Sequence, residues 1–338
     1  LGRKALLIGD LHFTINRFQL LKAVIDWMHK LVETHSPSIV INLGDFFNNH
    51  AVLRSEVLSE FRNHVDFITS RGIDYYYILG NHDFYQPKDS TYHALKAIRG
   101  ISDRLHIIDK PIDIGDITFV PYMPDPSLFP RTVRPLCFAH QTFIGADYGY
   151  KRADVAVNAD DVSADIIVSG HVHKRQTFGN VIYPGTPYAI DVDDVDQCKG
   201  ITILDLDTYE QIFIESPFPR WRSVTVPLSS DYSIDDAHRD LSSTLTPVDN
   251  WVVTMEGAKA EIFSYINSDQ YKDLTKKFRI ILKTNITDAI KRDKQIKSGT
   301  IDEMLVEYVD KIYDGTVDKS SLLTCALDIL KKTRVNKG

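Results

Sequence analysis

The chain reads as an α/β protein: a partly parallel sheet covered by helices, a second sheet packed on it, and a smaller C-terminal part. Three observations predict this. Apolar runs and helical stripes alternate in βαβαβ order up to about Arg99. Beyond Arg99 short β-type runs follow one another closely, punctuated by Gly and Pro. Five stretches end in a cluster of Asp, Asn or His just past an apolar run, as strands do when their carboxyl ends line a site.

Taken in order, residues 4–8 are the first strand. Phe18, Leu21, Val24, Ile25, Met28, Leu31 and Val32 recur at helical spacing, so 18–32 is read as a helix. Residues 38–43 are the next strand. Val57, Leu58, Phe61, Val65 and Ile68 share one face of a helix over 52–68. Residues 74–79 form a strand and 92–98 a short helix. The runs 105–108, 117–120, 136–139, 166–169, 181–183, 200–205 and 211–215 supply the second sheet, giving an α/β sandwich. Ser216-Pro217-Phe218-Pro219-Arg220-Trp221 reads as a linker, and 224–284 as a small α+β cap with strands over 251–255 and 279–283. The Lys-rich stretch 291–299 is a tether. Thr300 and Glu303 make a T-x-x-E capping box, opening a helix with Ile301, Met304, Leu305, Tyr308, Val309 and Ile312 on one stripe. A last helix over 319–332 carries Leu322, Leu323, Ala326, Leu327 and Leu330. The domain reading is therefore 1–219, 220–290 and 291–338.

Composition narrows the class. The 338 residues have room for two domains, and 43% hydrophobic with 25% charged residues is ordinary for a globular protein. No apolar run reaches the length of a membrane span, and none near the N-terminus reads as a signal peptide. Leu1-Gly2, in place of an initiating Met, reads as a processed or appended end. Cys137, Cys198 and Cys325 are scattered, odd in number and without a CxxC pair, which argues for a reducing compartment and against a thiolate zinc site. A cytoplasmic location is the expectation. The net charge of −7 does not advertise a nucleic-acid binder. It is unevenly spread: from Ala258 onward Lys and Arg number 16 against 12 Asp and Glu, so the acidic excess lies in the first 257 residues, where bound cations would offset it.

The five clusters are Gly9-Asp10-Leu11-His12, Gly44-Asp45, Gly80-Asn81-His82-Asp83, Ala139-His140 and Ser169-Gly170-His171-Val172-His173. Singly, each has a plainer reading: an Asp-x-His after a strand is ordinarily a turn feature, and a His such as His140 a satisfied core residue. Together they read as one metal site, because segments this distant converge at the carboxyl ends of strands. His29, His35, His50, His64, His93, His106 and His238 fit no cluster and are read as surface or packing residues. Asp, His and Asn make a mixed nitrogen and oxygen donor set, better suited to Mn, Fe, Zn or Ni than to an all-oxygen magnesium cage. Asp10, His12, Asp45, Asn81, His140, His171 and His173 supply seven side chains. A bridging carboxylate completes what two ions need, and Asp45 is read as the bridge because its two oxygens can serve two ions. Two divalent ions outweigh two carboxylates, so the site attracts an anion; a pair roughly 3.5–4 Å apart can hold both the attacking and leaving oxygens of a phosphate ester. His82, outside the ligand set, is read as a general acid or charge stabiliser, with Asp83 orienting it through its other ring nitrogen.

In this order, D-x-H, GD, GNHD, a lone His and GHxH resemble the calcineurin-like metallophosphoesterases, from Asp10 to His173. Tyr183-Pro184-Gly185-Thr186-Pro187-Tyr188, the cap and the apolar terminal helices are similar to the SbcD-type nuclease subunit of the SbcC–SbcD double-strand-break repair complex. That likeness is one of layout rather than motif after Pro219, and the short cap points to a bacteriophage-encoded member. The resemblance implies a four-layer α/β sandwich and a DNA phosphodiesterase. One ion would take Asp10, His12, Asp45 and His173, the other Asp45, Asn81, His140 and His171, with His82 facing the scissile phosphate. It implies two divalent ions, Mn2+ preferred and Mg2+ weaker, and exonuclease action on double-stranded and endonuclease action on single-stranded DNA. It also implies an SbcC-like coiled-coil ATPase partner, since this chain has no Walker-type loop. The helical faces of 18–32 and 57–68 read first as core; the family implies a homodimer through them. Some members carry a His three residues after the bridging Asp, where this chain has Asn48.

DNA contacts are expected at Arg131, Arg134, Tyr148, Tyr150, Lys151, Arg152, Lys174 and Arg175, where basic side chains interleave with aromatics; the plainer reading is solvated loops. Leu305, Tyr308, Leu323, Leu327 and Leu330 are expected to dock the ATPase as helix in groove, against the plainer reading of packing on the chain's own cap. The enzymatic rival is a phosphomonoesterase or protein phosphatase on the same scaffold. The non-enzymatic rival, a scaffold that has lost its metals, is disfavoured by seven intact ligand positions.

Overall fold

The computed structural model describes residues 2–48, 53–86, 89–229, 232–287, 306, 309 and 318–324. Two compact units divide the chain, Leu1–Ile286 and Thr287–Gly338. The first begins with β1 (Lys4–Ile8), α1 (Phe18–His35), β2 (Ile39–Asn42), α2 (Ser55–Thr69) and β3 (Asp74–Ile78), the expected βαβαβ order. A hairpin, β4 (Phe84–Gln86) and β5 (Asp89–His93), follows. Next come β6 (Leu105–Ile108), β7 (Ile112–Ile114), β8 (Ile117–Val120), β9 (Leu136–His140), β10 (Ile166–Gly170), β11 (Gln176–Phe178), β12 (Val181–Tyr183), β13 (Gly200–Asp205) and β14 (Gln211–Glu215). The unit ends with β15 (Trp221–Pro227), α3 (Ile234–Thr244), β16 (Asn250–Gly257), α4 (Lys259–Ile266), α5 (Asp269–Lys277) and β17 (Arg279–Ile286).

Two six-stranded sheets stack face to face, in the orders β14-β13-β1-β2-β3-β6 and β11-β12-β10-β9-β8-β7. Alternation along each strand sorts its side chains into layers. In β1, Ala5 and Leu7 meet Ile41, Phe119, Phe138, Val168 and Ile182 between the sheets, whereas Leu6 and Ile8 face the helices. Leu21, Val24, Ile25, Met28, Leu31 and Val32 of α1 and Val57, Phe61, Val65 and Ile68 of α2 are buried in that outer cluster, so both stripes are core. The outer face of the second sheet is covered by Phe143, Ala146, Val157, Val162 and Ala164, from a looping segment whose helical element is a single 3-10 turn, Ala159–Asp161. This fourth layer is thinner than the helical one expected.

Three expectations are corrected. Leu105–Ile108 is the far edge of the first sheet, and β13 and β14 return to it, β13 running antiparallel to β1 in the register Ala5 to Leu204. A buried strand announces its burial in its composition but not its neighbour. The helix expected over 92–98 is the end of β5 followed by a 3-10 turn, Ala94–Ile98. The strand β15 starts inside the expected linker and pairs in parallel with β16, which pairs in parallel with β17. Helices α3, α4 and α5 connect these strands, and Trp251, Val253, Met255, Leu241, Ile262 and Tyr265 make a separate apolar cluster.

In the second unit, 319–324 are helical, and Asp318 caps them by accepting the Ser321 backbone N–H at 2.8 Å. Leu323 is half-buried there, while Leu305, Tyr308, Leu327, Leu330 and the tether lie outside the described residues.

Helices α1 and α2 meet through an unusual pair. His64 is fully buried, with its Nδ1 3.0 Å from His29 Nε2, and His29 stacks on Phe67. Burial lowers both rings, His29 to about 4 and His64 well below its ordinary value. Folded-state values below the ordinary 6.5 mean that the unfolded chain takes up protons first, so stability is fully present above pH 6.5 and is lost as pH falls from there toward 4. Urea unfolding of EDTA-treated protein should show His64→Leu with a flatter acid limb than wild type across that window.

Candidate metal centre

All five clusters emerge at the carboxyl ends of parallel strands. Asp10 and His12 follow β1, Asp45 follows β2, Asn81 to Asp83 follow β3, His140 ends β9, and His171 and His173 follow β10. The turns are tight: His12, Asp45 and His171 hold φ of 47°, 51° and 80°. Non-glycine residues pay steric strain in that region, and it persists only where the surroundings fix it. Here the first two turns brace each other, His12 N–H donating to the Asp45 carbonyl at 2.9 Å and Phe13 N–H to the Phe46 carbonyl at 2.7 Å. The glycines of the clusters have a different reason. A Cβ on Gly80 would overlap the Asp45 carboxylate, and one on Gly44 the His140 ring.

The seven expected ligands come together. Ligand atoms of Asp10, His12 and His173 lie within 4.8 Å of one another, as do those of Asp45, His140 and His171. Asn81 completes the second set, its Oδ1 lying 2.7 Å from His171 Nδ1 and 3.1 Å from His140 Nε2. His12 Nε2 and His173 Nε2 face each other at 3.1 Å. Asp45 stands between the sets, but not as its two oxygens suggested. Oδ1 accepts the His82 backbone N–H at 2.8 Å, and Oδ2 alone faces both His140 Nε2 at 3.5 Å and His12 Nε2 at 4.0 Å. One Asp45 oxygen, Oδ2, thus faces histidines of both sets.

These residues fit a pair of cations on their own evidence. Asp10 and Asp45 are 1% and 2% exposed, and among the described residues their ion-pair partners are histidines, not Lys or Arg. Burial, together with Asp45, raises the Asp10 carboxyl. Burial works the same way on Asp45, but His140 and His12 overcome it and hold that carboxyl low. His140 is raised to about 9: burial opposes the charge, and Asp45 and Asp10 outweigh it. Burial lowers His12 and His171 to about 3, which keeps them neutral and ready to ligate. The His140 tautomer is set as well, since Nδ1 meets the Leu43 carbonyl at 2.6 Å and leaves Nε2 for the site.

His82 and Asp83 differ from expectation. His82 Nδ1 lies 2.9 Å from the Asn48 carbonyl, and a ring nitrogen sits within 4.8 Å of ligand atoms of His12 and Asp45. His82 therefore stands beside the ligand set rather than apart from it. Asp83 does not orient that ring. Its Oδ2 accepts from Gly80 N–H at 2.8 Å and Asp45 N–H at 3.1 Å, and its Oδ1 from the Tyr77 hydroxyl at 2.8 Å. Buried at 3% exposure, it ties the β2 and β3 turns together. Burial and Asp45 push it up to about 8.

The expected DNA contacts divide. A cavity of about 220 Å³ is lined by His171 and His173 together with Tyr148, Tyr150 and Lys174. Lys151 reaches over both tyrosine rings at 5.8 Å, the Arg152 backbone pairs antiparallel with that of Asp147 on the same loop, and the Arg175 guanidinium lies 4.3 Å over Phe213. Lys174 is paired with Asp147 at 2.5 Å. Arg131 and Arg134 belong elsewhere. They precede β9 at its amino end, whereas His140 ends that strand, about 13 Å from its first residue at strand rise, and they pair with Asp161 and Asp113. Flanking the right strand placed them at its wrong end. Sequence reasoning also missed Asp191, Asp193 and Asp194, which line the same cavity, and the buried Lys199 behind it; neither carries a motif.

Asp83→Asn should keep acceptors for the two turns and cost under about 1.5 kcal/mol, whereas Asp83→Ala, which orphans two buried N–H groups, should cost about 3 kcal/mol by urea unfolding.

Comparison with known proteins agrees with this geometry. A protein of Invertebrate iridescent virus 3 designated a phosphoesterase, 078R, is 23% identical over 291 residues, covering 80% of each chain. A second one, 244L of Invertebrate iridescent virus 6, is 29% identical over 54% of this chain and 69% of its own. Exonuclease subunit 1 of Enterobacteria phage T4 is 21% identical over 96% of this chain and 97% of its own. Among solved structures, the nuclease MPE of Pseudomonas putida aligns at 21% identity and TM-score 0.27 over 41% of this chain and 63% of that one. GAP50, the anchor in the inner membrane complex of Plasmodium, aligns at 10% identity and TM-score 0.40 over 64% and 85%. The family model for calcineurin-like phosphoesterases matches residues 3–175, a stretch that holds all seven ligands, and the chain belongs to that family.

Proposed function

We propose that the chain is a two-metal DNA phosphodiesterase, the nuclease subunit of a complex like SbcC–SbcD. The observation that carries the hydrolytic reading is the pair of ligand sets joined by one Asp45 oxygen. DNA as the substrate is supported by the likeness to a phage exonuclease subunit along nearly the whole of both chains.

In this reading Asp10, His12, Asp45 and His173 hold one ion, and Asp45, Asn81, His140 and His171 the other. The resemblance implies Mn2+ as the preferred ion, with Mg2+ supporting weaker activity; the mixed nitrogen and oxygen donor set suits a transition ion better than magnesium. Such a pair supplies Lewis acidity, offsetting phosphate charge and acidifying water. The chain's own residues do the rest. His82 protonates the leaving oxygen, its ring held by the Asn48 carbonyl and its backbone by Asp45. Tyr148, Tyr150 and Lys151 flank the approach to the histidines and hold the strand by stacking and charge. Residues 291–338, with Leu305, Tyr308, Leu323, Leu327 and Leu330, dock the coiled-coil ATPase, and two such chains pair in the assembly.

Three substrates separate the readings. Incubated with Mn2+, the protein should cut labelled duplex and single-stranded DNA and leave p-nitrophenyl phosphate largely intact. Turnover of the monoester alone would make it a phosphomonoesterase, and no turnover at all would leave a scaffold. His82→Gln should lower kcat by about 100-fold or more while both Mn2+ ions stay bound; loss of an ion would make His82 a ligand instead. Truncation after Lys297 should abolish co-purification with the ATPase and leave Mn2+ binding unchanged.

A further inference from the structure

Behind the metal centre lies a charge that the hydrolytic reading does not use. Lys199, at the start of β13, is 1% exposed, and its partner Asp194 4%. An ammonium group has three N–H bonds, and Lys199 Nζ has three acceptors: Asp194 Oδ1 at 2.5 Å, Gln197 Oε1 at 3.0 Å and the His173 carbonyl at 2.9 Å. Asp194 is also filled, its Oδ2 accepting the Ile190 N–H at 2.7 Å. A saturated pair this deep is weak evidence of stability, because desolvation offsets most of the attraction and an apolar pair of similar volume holds a fold as well. An apolar pair could not donate to the His173 carbonyl. That carbonyl is also met by the Thr186 N–H at 3.2 Å, so the backbone bearing the His173 ring is pinned from two sides.

The loop that carries Asp194 and Gln197 is held in turn by the cap. Asp196 donates its backbone N–H to the Trp221 carbonyl at 2.9 Å, and its Oδ1 accepts the Ser223 N–H at 3.0 Å. Trp221 and Ser223 belong to β15, the first strand of the cap. A continuous chain of bonds therefore runs from β15 through Asp196, Asp194 and Lys199 to His173.

We propose that Lys199 is the positioning residue for His173, and that the cap's first strand reaches the metal centre through it. The inference rests on the two-metal reading. It concerns the ion that His173 would hold and leaves the Asn81, His140 and His171 set alone.

Metal-stripped protein titrated with Mn2+, with free ion read by electron paramagnetic resonance, tests it. Lys199→Met alone strands a buried Asp194, so the deciding variant is Lys199→Met with Asp194→Leu, which removes both charges. It should melt cooperatively, bind one Mn2+ as wild type does, and bind the other about tenfold or more weakly, as loss of support behind a ligand does. Asp196→Gly accepts the φ of 57° without a side chain and releases Ser223, and should weaken the same ion to a smaller extent. Two ions bound with wild-type affinity in the folded double variant would overturn the role of Lys199, and so would failure of that variant to fold, which would make the pair a folding element. Unchanged binding in Asp196→Gly would overturn the link to the cap. Wild-type protein that takes up fewer than two ions would sink the two-metal reading itself.

Discussion

The structure depends on one electrostatic constraint: two carboxylates, Asp10 and Asp45, are buried close together where, among the described residues, their ion-pair partners are histidines rather than Lys or Arg. Removing two like charges from water costs several kcal/mol per ion unless positive charge accompanies them. The surrounding imidazoles provide it only in part, because a histidine that takes a proton can no longer ligate. His140 raised and His12 lowered are two sides of this arrangement. A pair of cations between the ligand sets would remove the conflict, since every histidine could then stay neutral while both carboxylates stay charged.

Holding such a centre requires a frame that does not relax. Three site residues sit in left-handed turns at a cost of order 1–3 kcal/mol each. Each turn directly follows a strand whose residues are almost wholly buried, so the sheets supply the opposing rigidity. Asp83 makes the clearest contribution. One carboxyl group accepts three hydrogen bonds and so fixes where the β2 and β3 turns stand relative to each other. The cluster glycines follow from the same closeness, because no side chain fits between Gly80 and Asp45 or between Gly44 and His140.

Much of this was legible in the sequence. The convergence of the seven candidate ligands could be read because each follows an apolar run, and the chemistry of Asp, His and Asn is written in their side chains. Helices α1 and α2 could be read from 3.6-residue spacing over several turns. What escaped was relational. Gly200–Asp205 announces a buried strand but not that it pairs with β1, because alternation records burial and not neighbours. Arg134 lies in sequence between two site-bearing segments, yet strand direction sets it at the far end of the sheet. Asp83 sits beside His82 in the chain, but successive residues in a tight turn point apart, and its partners prove to be backbone N–H groups. Lys199 had no signal, since a buried lysine looks like any other until its acceptors are known.

The return of β13 and β14 bears on how the parts cooperate. The residues shared with the family end near Arg175, before either strand. Yet β13 pairs with β1, the strand that delivers Asp10 and His12, and Lys199 at its first turn meets the His173 carbonyl. The chain thus passes from the last ligand back across the first ligand's strand before it enters the cap. The cap's first strand is hydrogen-bonded to Asp196, and Lys199, three residues further on, meets the His173 carbonyl. A cap joined only through the linker read at Pro217 and Pro219 would lack these bonds to the loop beside His173. Attached as it is, through the bonds of Asp196 to Trp221 and Ser223, its first strand is tied to the loop that carries Asp194 and Gln197.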